Sequence, residues 1–262
     1  MLVLLSPAKS LDMQALPSDP PVSQARALPA STRLIEVLRT QSTAQLRALM
    51  SLSDALARLN HERYAAWRMQ PDHGAVRVAA LAFAGDVYEG LRAQDWDATL
   101  WARAQVHLRM LSGLYGVLRP QDALQAYRLE MGTALAVDAS RDLYAFWRPT
   151  IGALLQEDLA QAGGPLVNLA SQEYFKAVDV AALATPVIAP RFLDARGDGP
   201  YRIVSFYAKR ARGSMADWIL RQAPRQAQDL QDFAVAGYRY DAALSQPQAP
   251  CFVRRLAADT SA

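Results

Sequence analysis

The sequence of 262 residues is 52% hydrophobic with a formal net charge of +3, so it can bury a substantial core as one large globular domain or two closely packed ones. Because the charge is modest, any attraction for polyanions has to come from locally concentrated basic residues. The only cysteine, Cys251, excludes an internal disulfide and a cysteine-based zinc site and is typical of the reducing cytoplasm.

The N-terminal third is predicted to begin with a buried strand and to continue as helices. The apolar run at 2–5 stops at Ser6 and Pro7, which is typical of a strand that delivers Lys9 at its carboxyl end. The same run is too short for a signal peptide or a membrane span. Apolar residues then recur every three or four positions from residue 34 to residue 59, which predicts amphipathic helices.

The segment from residue 97 to residue 128 predicts a helix-hairpin-helix. One helix ends at Ser112 and Gly113, a second starts at Pro120, and Gly116 lies in the connection. Glycines let backbone N–H groups approach a phosphate, and the second helix directs its N-terminus at it. The surrounding arginines are candidate phosphate contacts: Arg103, Arg109, Arg119 and Arg128. A helical turn used only for packing remains the alternative, because the two glycines are three residues apart.

The rest of the chain is predicted to alternate helix and strand before a strand-rich end. A helix over 141–161 contains Pro149, a strand covers 166–169, and Ser171 caps the next helix. Further strands are predicted at 187–193, 202–208, 233–240 and 252–254, with a helix at 214–222. The expected fold is mixed α/β, a single domain over residues 1–256 with a central mixed sheet flanked by helices and a short flexible tail at 257–262.

Three of the 28 basic residues are lysines, and each lies where a predicted strand ends or in the first turns of the next helix: Lys9, Lys176 and Lys209. Arginine cannot replace an ammonium that must lose a proton, so these lysines are candidate catalytic residues, with Ser171 and Glu173 beside them. Open α/β sheets bind ligands at strand ends, which predicts a basic, partly enclosed cleft. Three lysines on a solvated surface are the alternative.

The densest basic stretch spans residues 202–212 and contains no acidic residue. Its members are candidate contacts for DNA or another anion: Arg202, Lys209, Arg210 and Arg212. Arginine can grip two phosphate oxygens at once, and the interleaved Tyr201 and Tyr207 can stack on exposed bases. A solvated basic edge strand is the ordinary alternative.

Other classes of site are not predicted. The histidines His61, His73 and His107 lie far apart in the sequence and in no ligand spacing, so we expect no metal site. No cofactor is expected either, because the sequence contains no phosphate-binding loop, dinucleotide fingerprint or catalytic serine–histidine–acid series. Cys251 lies in an apolar stretch and is expected to be an inert thiol. The oligomeric state is left open.

Six blocks of sequence, in one order from the first residue to nearly the last, resemble the YaaA family of bacterial peroxide-stress proteins. They read SPAK at 6–9, GDVY at 85–88, HLRMLSGLYGVLRP at 107–120, YRLEMG at 127–132, NLASQEYFK at 168–176 and YAKRARG at 207–213. The resemblance implies a cytoplasmic protein that helps cells survive hydrogen peroxide by limiting unincorporated iron and the damage it causes. It also implies a positively charged cleft and a helix-hairpin-helix that engages double-stranded DNA, with Gly113 and Gly116 in the hairpin.

Three functional hypotheses follow. The first is binding of duplex DNA through its phosphates, with little sequence preference and an affinity that falls steeply with salt. The second is an enzyme that acts on a small anionic or phosphorylated metabolite among the three lysines, assisted by Ser171 or Glu173. The third is a structural or adaptor protein in which the lysines are salt-bridged stabilisers. No membrane partner is expected.

Overall fold

The computed structural model describes residues 1–14, 16 and 18–257, so almost all of the predicted tail at 257–262 lies outside the described residues. The helices are α1 (Leu28–Arg39), α2 (Thr43–Met50), α3 (Asp54–Ala66), α4 (Ala79–Ala82), α5 (Asp86–Leu91), α6 (Ala98–His107), α7 (Leu143–Ala162), α8 (Gln172–Phe175) and α9 (Ser205–Gln222). The strands are β1 (Leu2–Leu5), β2 (Ser10–Leu11), β3 (Arg77–Val78), β4 (Phe83–Ala84), β5 (Leu108–Ser112), β6 (Gly116–Leu118), β7 (Ala123–Leu124), β8 (Leu166–Asn168), β9 (Val187–Ile188), β10 (Arg191–Arg196), β11 (Arg239–Gln246) and β12 (Ala249–Leu256). The predicted class, a mixed α/β single domain with a central mixed sheet flanked by helices, is confirmed.

The central sheet brings two predicted strand ends together. Within the described part of the chain it has the order β6-β5-β1-β8-β9, with β6 antiparallel to β5 and the other neighbours parallel. Strand β1 lies in the middle and is buried on both faces, which explains its continuous apolar sequence. Because β1 and β8 run parallel in adjacent positions, the loops that carry Ser6 and Ser171 leave the same edge of the sheet.

The prediction of a helix-hairpin-helix is wrong, because this segment forms a β-hairpin. Helix α6 ends at His107, and β5 and β6 pair antiparallel through a short turn. Residues that follow Pro120 form a turn and strand β7 rather than a second helix. The reason is tertiary: β5 also pairs in parallel with β1, where Leu108 lies opposite Val3, and this pairing buries every residue of β5. The apolar residues of β5 have a spacing that also suits one face of a helix, but they belong to a strand whose residues are all buried.

The predicted strand at 202–208 is also wrong, since helix α9 begins at Ser205 and absorbs most of it. Arg202 forms only an isolated bridge with Asp194. The helix is stabilised by close packing on α5: a side chain added at Gly213 would collide with the backbone of Val87, and one at Gly90 with that of α9. The predicted strand at 233–240 is largely wrong as well, because β11 begins only at residue 239 and then pairs with β12 in a second sheet.

Helix α7 contains Pro149, as predicted, and packs its buried face against the sheet region through residues such as Trp147 and Asp158. Asp158 receives hydrogen bonds from two arginines, with Arg109 at 2.6 and 2.7 Å and Arg26 at 2.8 and 2.9 Å. This interior network joins α7 to β5 and to the segment before α1. Arg109, which the sequence suggests as a phosphate contact, is thus held in the interior by Asp158.

Candidate functional site

A cleft of about 360 Å³ opens at the carboxyl ends of β1 and β8. Its walls come from the loop after β1, the start of α5, the segment after β7, the start of α8 and the second turn of α9. The polar and charged side chains that line it are Ser6, Lys9, Ser10, Asp86, Arg128, Glu130, Ser171, Glu173, Lys209 and Arg212. A cavity therefore lies at the strand ends, where the sequence predicts a ligand site.

One part of the lining carries a paired cluster of charges, in which two cations share one carboxylate. The ammonium of Lys9 lies 2.9 Å from Oε2 of Glu130, and the guanidinium of Arg128 donates to Oε1 of the same carboxylate at 2.7 and 3.1 Å. Burial of Glu130 acts to raise its pKa, but the hydrogen bonds from Lys9 and Arg128 outweigh burial and lower the pKa below its ordinary value. Glu130 is therefore a carboxylate that holds both cations in place.

Helix α9 contributes two cations that have no partner among the described residues. Lys209 and Arg212 are three residues apart on α9, so their side chains project from the same side of the helix. Among the residues that the structure describes, neither side chain has a hydrogen-bond or ion-pair partner. Arg212 is partly buried, and burial lowers the pKa of its guanidinium. A partly desolvated positive charge without a counter-charge favours binding of an anion at this wall.

Two serines join the strand ends under the cleft. The backbone N–H of Ser171 donates to Oγ of Ser6 at 2.8 Å, and the hydroxyl of Ser6 donates to Oγ of Ser171 at 3.2 Å. The N–H of Tyr174 also donates to Oγ of Ser171, at 3.5 Å, so the predicted helix cap is confirmed. No histidine or cysteine is among the described residues that line the cleft, so neither serine is paired there with such a base.

Buried tyrosines form the floor. The hydroxyl of Tyr88 donates to the carbonyl oxygen of Ser6 at 2.9 Å, and the hydroxyls of Tyr127 and Ser112 lie 2.6 Å apart. Burial raises the pKa of Tyr88 and Tyr127 well above the ordinary value, so both remain protonated. Tyr88 thus holds the loop after β1 at Ser6, and Tyr127 holds the end of β5 at Ser112.

Glu173 links the start of α8 to the loop that follows β7. Its Oε1 accepts a hydrogen bond of 3.0 Å from the backbone N–H of Gly132, and a side chain at Gly132 would come within 3.2 Å of the same oxygen. The carboxylate therefore stays at the edge of the cleft with its other oxygen available.

The third lysine does not join the cleft. Lys176 ends α8, is exposed and places its ammonium 5.1 Å from the ring centroid of Tyr144. The structure thus brings two of the three lysines, Lys9 and Lys209, to one cavity and leaves Lys176 outside it.

The arginines around the predicted hairpin bind protein groups. Arg103 donates to the carbonyl oxygen of Leu220 at 2.7 Å, and Arg119 donates to Asp122 at 2.9 and 3.0 Å. Arg109 has only 1% of its surface exposed and is held by the interior carboxylate described above. Phosphate binding by Arg109 would require this ion pair to break, so we assign it a structural role.

The two glycines of the predicted hairpin are buried as well. The carbonyl oxygen of Gly113 accepts a hydrogen bond of 2.8 Å from the indole of Trp147, and a side chain at Gly113 would meet the carbonyl of Leu129. Gly116 has φ +68° and lies against the same indole. Both glycines therefore serve close packing, and their backbone does not face solvent.

Two cations of the basic stretch are exposed outside the cleft. Arg202 precedes α9, and Arg210 lies on its second turn, where its guanidinium is 3.7 Å from the carboxylate of Glu89. Together with the exposed Lys209, they form what we call the α9 basic surface: Arg202, Lys209 and Arg210.

Sequence reasoning missed Glu130 and Asp86 as cleft residues. Both lie inside blocks that carry the family resemblance, 127–132 and 85–88, and that was the available signal. Neither stands out by spacing alone, because each reaches the cleft through contacts that are remote in the sequence.

Two further classes of site are missing from the described part of the chain. None of its helices combines the length and the hydrophobicity needed to span a bilayer. It also contains no group of three histidine, cysteine, aspartate or glutamate side chains arranged to hold a metal ion.

The chain is similar to proteins of one family over nearly its full length. The family model described as "Peroxide stress protein YaaA" matches residues 1–244. A UPF0246 protein of Janthinobacterium sp. (strain Marseille) is 49% identical over 257 residues, covering 98% of this chain and 99% of the relative. A UPF0246 protein of Leptothrix cholodnii is 51% identical over 264 residues, covering 98% of this chain and all of the relative. The chain therefore belongs to the YaaA family of peroxide stress proteins.

Proposed function

We propose that the protein acts in the peroxide-stress response by binding the backbone of double-stranded DNA in the cytoplasm through the α9 basic surface. The observation that carries this proposal is the excess of basic over acidic side chains there. The stretch from 202 to 212 contains no acid, Lys209 has no partner in the described part of the chain, and Arg210 faces Glu89 only at 3.7 Å. Exposed cations of this kind bind phosphates.

This mode of binding depends little on the base sequence of the DNA. Phosphate contacts fix the position of a protein on DNA, whereas sequence is read by side chains that reach base edges in a groove. The β-hairpin found in place of the predicted helix-hairpin-helix takes no part in the proposal, because its glycines are buried. The DNA surface is therefore smaller than the sequence suggested and is centred on the first two turns of α9.

The proposal also accounts for protection of DNA from iron-dependent damage without an iron site. DNA carries a condensed layer of cations, and a protein that neutralises phosphates releases them. Fe²⁺ bound near the backbone would be displaced in the same way. Oxidation by peroxide would then take place away from the DNA, which limits damage to it.

The test is binding of the purified protein to a labelled duplex across a salt series. Reversal of two exposed charges, Arg202→Glu with Arg210→Glu, should weaken binding to all duplexes alike and reduce the slope of log K against log salt by about 2, one unit for each lost phosphate contact. The matched control is Arg58→Glu with Arg225→Glu, which makes the same change of charge at exposed residues that do not line the cleft. Arg225 follows the far end of α9, roughly 25 Å from its start.

Equal loss in both double variants would show that only net charge matters and would contradict a DNA surface at α9. Unchanged binding in the Arg202 and Arg210 variant would contradict it directly. A second measurement connects binding to protection: strand breaks in plasmid DNA treated with Fe²⁺ and peroxide should decrease with the wild-type protein and not with that variant.

A further inference from the structure

The cleft next to the α9 basic surface has a different character from that surface. Its lining includes three carboxylates, Asp86, Glu130 and Glu173, besides its cations. A DNA duplex is far too large to enter a cavity of 360 Å³. A volume near the lower end of the range for small-molecule sites, lined by charges of both signs, suits a small ligand that carries groups of more than one kind.

The two free cations indicate what the anionic group is. Lys9 and Arg128 share the single carboxylate of Glu130, whereas Lys209 and Arg212 have no ion-pair partner among the described residues and are therefore the cations most available to a ligand. Two positive charges three residues apart on one helix match a phosphate monoester, which carries about −1.5 to −2 charge at pH 7. A single carboxylate would leave one of the two cations without a counter-charge.

Two other lining residues, Ser171 and Glu173, offer groups for the rest of such a ligand. The hydroxyl of Ser6 donates to Oγ of Ser171, so the hydroxyl proton of Ser171 has no acceptor among the described residues and is free to donate. Glu173 uses one carboxylate oxygen to hold Gly132, and its second oxygen can accept from an amino or hydroxyl group.

We propose that the cleft binds a small phosphorylated metabolite, with its phosphate between Lys209 and Arg212 and its amino or hydroxyl groups at Ser171 and Glu173. This site shares Lys209 with the proposed DNA surface, but it requires Arg212 in place of Arg202 and Arg210. Arg212 lines the cleft, whereas Arg210 does not, although the two lie on the same helix and two residues apart. They provide a matched pair of variants with the same chemical change.

The experiment is isothermal titration calorimetry of the full chain with AMP and with ribose 5-phosphate, using adenosine as the probe that lacks the phosphate. The wild type and Arg210→Gln should bind both phosphate esters with the same Kd, and adenosine should bind at least about tenfold more weakly. Arg212→Gln should weaken binding of the esters by about tenfold or more, because it removes a charge-assisted contact. Lys209→Gln changes an exposed residue, so it provides a second variant if Arg212→Gln does not fold.

The proposal is overturned if neither ester binds the wild type at millimolar concentration. It is also overturned if adenosine binds as tightly as AMP, or if Arg210→Gln and Arg212→Gln weaken ester binding equally. Duplex binding is measured on the same preparations, so each proposal can fail by itself: DNA binding without ester binding rejects only the cleft site, and ester binding without DNA binding rejects only the DNA surface.

Discussion

Arg109 and Asp158 form a two-armed ion pair in the interior of the protein, with the two nitrogens of the guanidinium 2.6 and 2.7 Å from the two carboxylate oxygens. Arg109 lies on β5 in the central sheet, and Asp158 lies on α7. The pair is almost fully buried, with side-chain exposures of 1% and 4%. Arg109, which the sequence suggests as a DNA contact, thus links the central sheet to α7.

Replacing Asp158 with asparagine should destabilise the protein strongly. The substitution leaves Arg109 buried without its counter-charge, and breaking a buried pair costs about 3–5 kcal/mol. Urea unfolding should show this loss in the free energy of unfolding. An exposed substitution, Arg210→Gln, should change it by less than about 0.5 kcal/mol. A loss below about 1 kcal/mol in Asp158→Asn would contradict the structural role of the pair.

The same pair predicts a dependence of stability on acid. Burial of Asp158 acts to raise its pKa, but hydrogen bonds from Arg109 and Arg26 outweigh burial and lower the pKa below 3.8. The unfolded chain therefore takes up the proton first, so the stabilisation is complete above about pH 4 and is lost as the pH falls through the lowered pKa. The difference in unfolding free energy between the wild type and Asp158→Asn should be constant from pH 7 to pH 5 and decrease below pH 4. A difference independent of pH would contradict the lowered pKa.

Cys251 should be unreactive in the native protein. It is fully buried, and burial raises the pKa of its thiol, so little thiolate forms at neutral pH. Titration with Ellman's reagent should show no fast reaction in buffer and one thiol per chain in denaturant. Fast reaction of one thiol in buffer would contradict the buried position.

Gly213 should tolerate no side chain. A methyl group there would collide with the backbone carbonyl of Val87, so Gly213→Ala should force α5 and α9 apart at a cost of about 1–3 kcal/mol. Gly152 is the matched control, because it also lies inside a helix and has no atom within 4 Å of an added side chain. Gly152→Ala should be neutral or stabilising by up to about 1 kcal/mol. Thermal unfolding of the two variants measures the difference, and equal melting temperatures would contradict the close packing.

Much of the site could be predicted from local sequence. The apolar run of β1, the polar residues at its end and the cap at Ser171 are local features, and they are sufficient to place Lys9 and Ser171 at one edge of a sheet. Lys209 was also predicted at the cleft, although through a strand that proved to be a helix. The mixed α/β class followed from the alternation of these elements.

The errors come from contacts between remote parts of the chain. Strand β5 has spacing that suits a helix, and only its pairing with β1, about a hundred residues away, makes it a strand. Likewise, the glycines that seat α9 on α5 have no signature in the sequence. Arg119 is a different case, since its partner Asp122 is only three residues further and could have been recognised as a local ion pair.

The close packing of α5 on α9 at Gly90 and Gly213 has a consequence for the cleft. The helix that carries Asp86 and the helix that carries Lys209 and Arg212 approach each other closely through their main chains at these glycines. A side chain at either glycine would push the two helices apart, and with them the charged residues that each helix contributes to the cleft. The relative position of acidic and basic groups in the cleft thus depends on two residues that have no side chain.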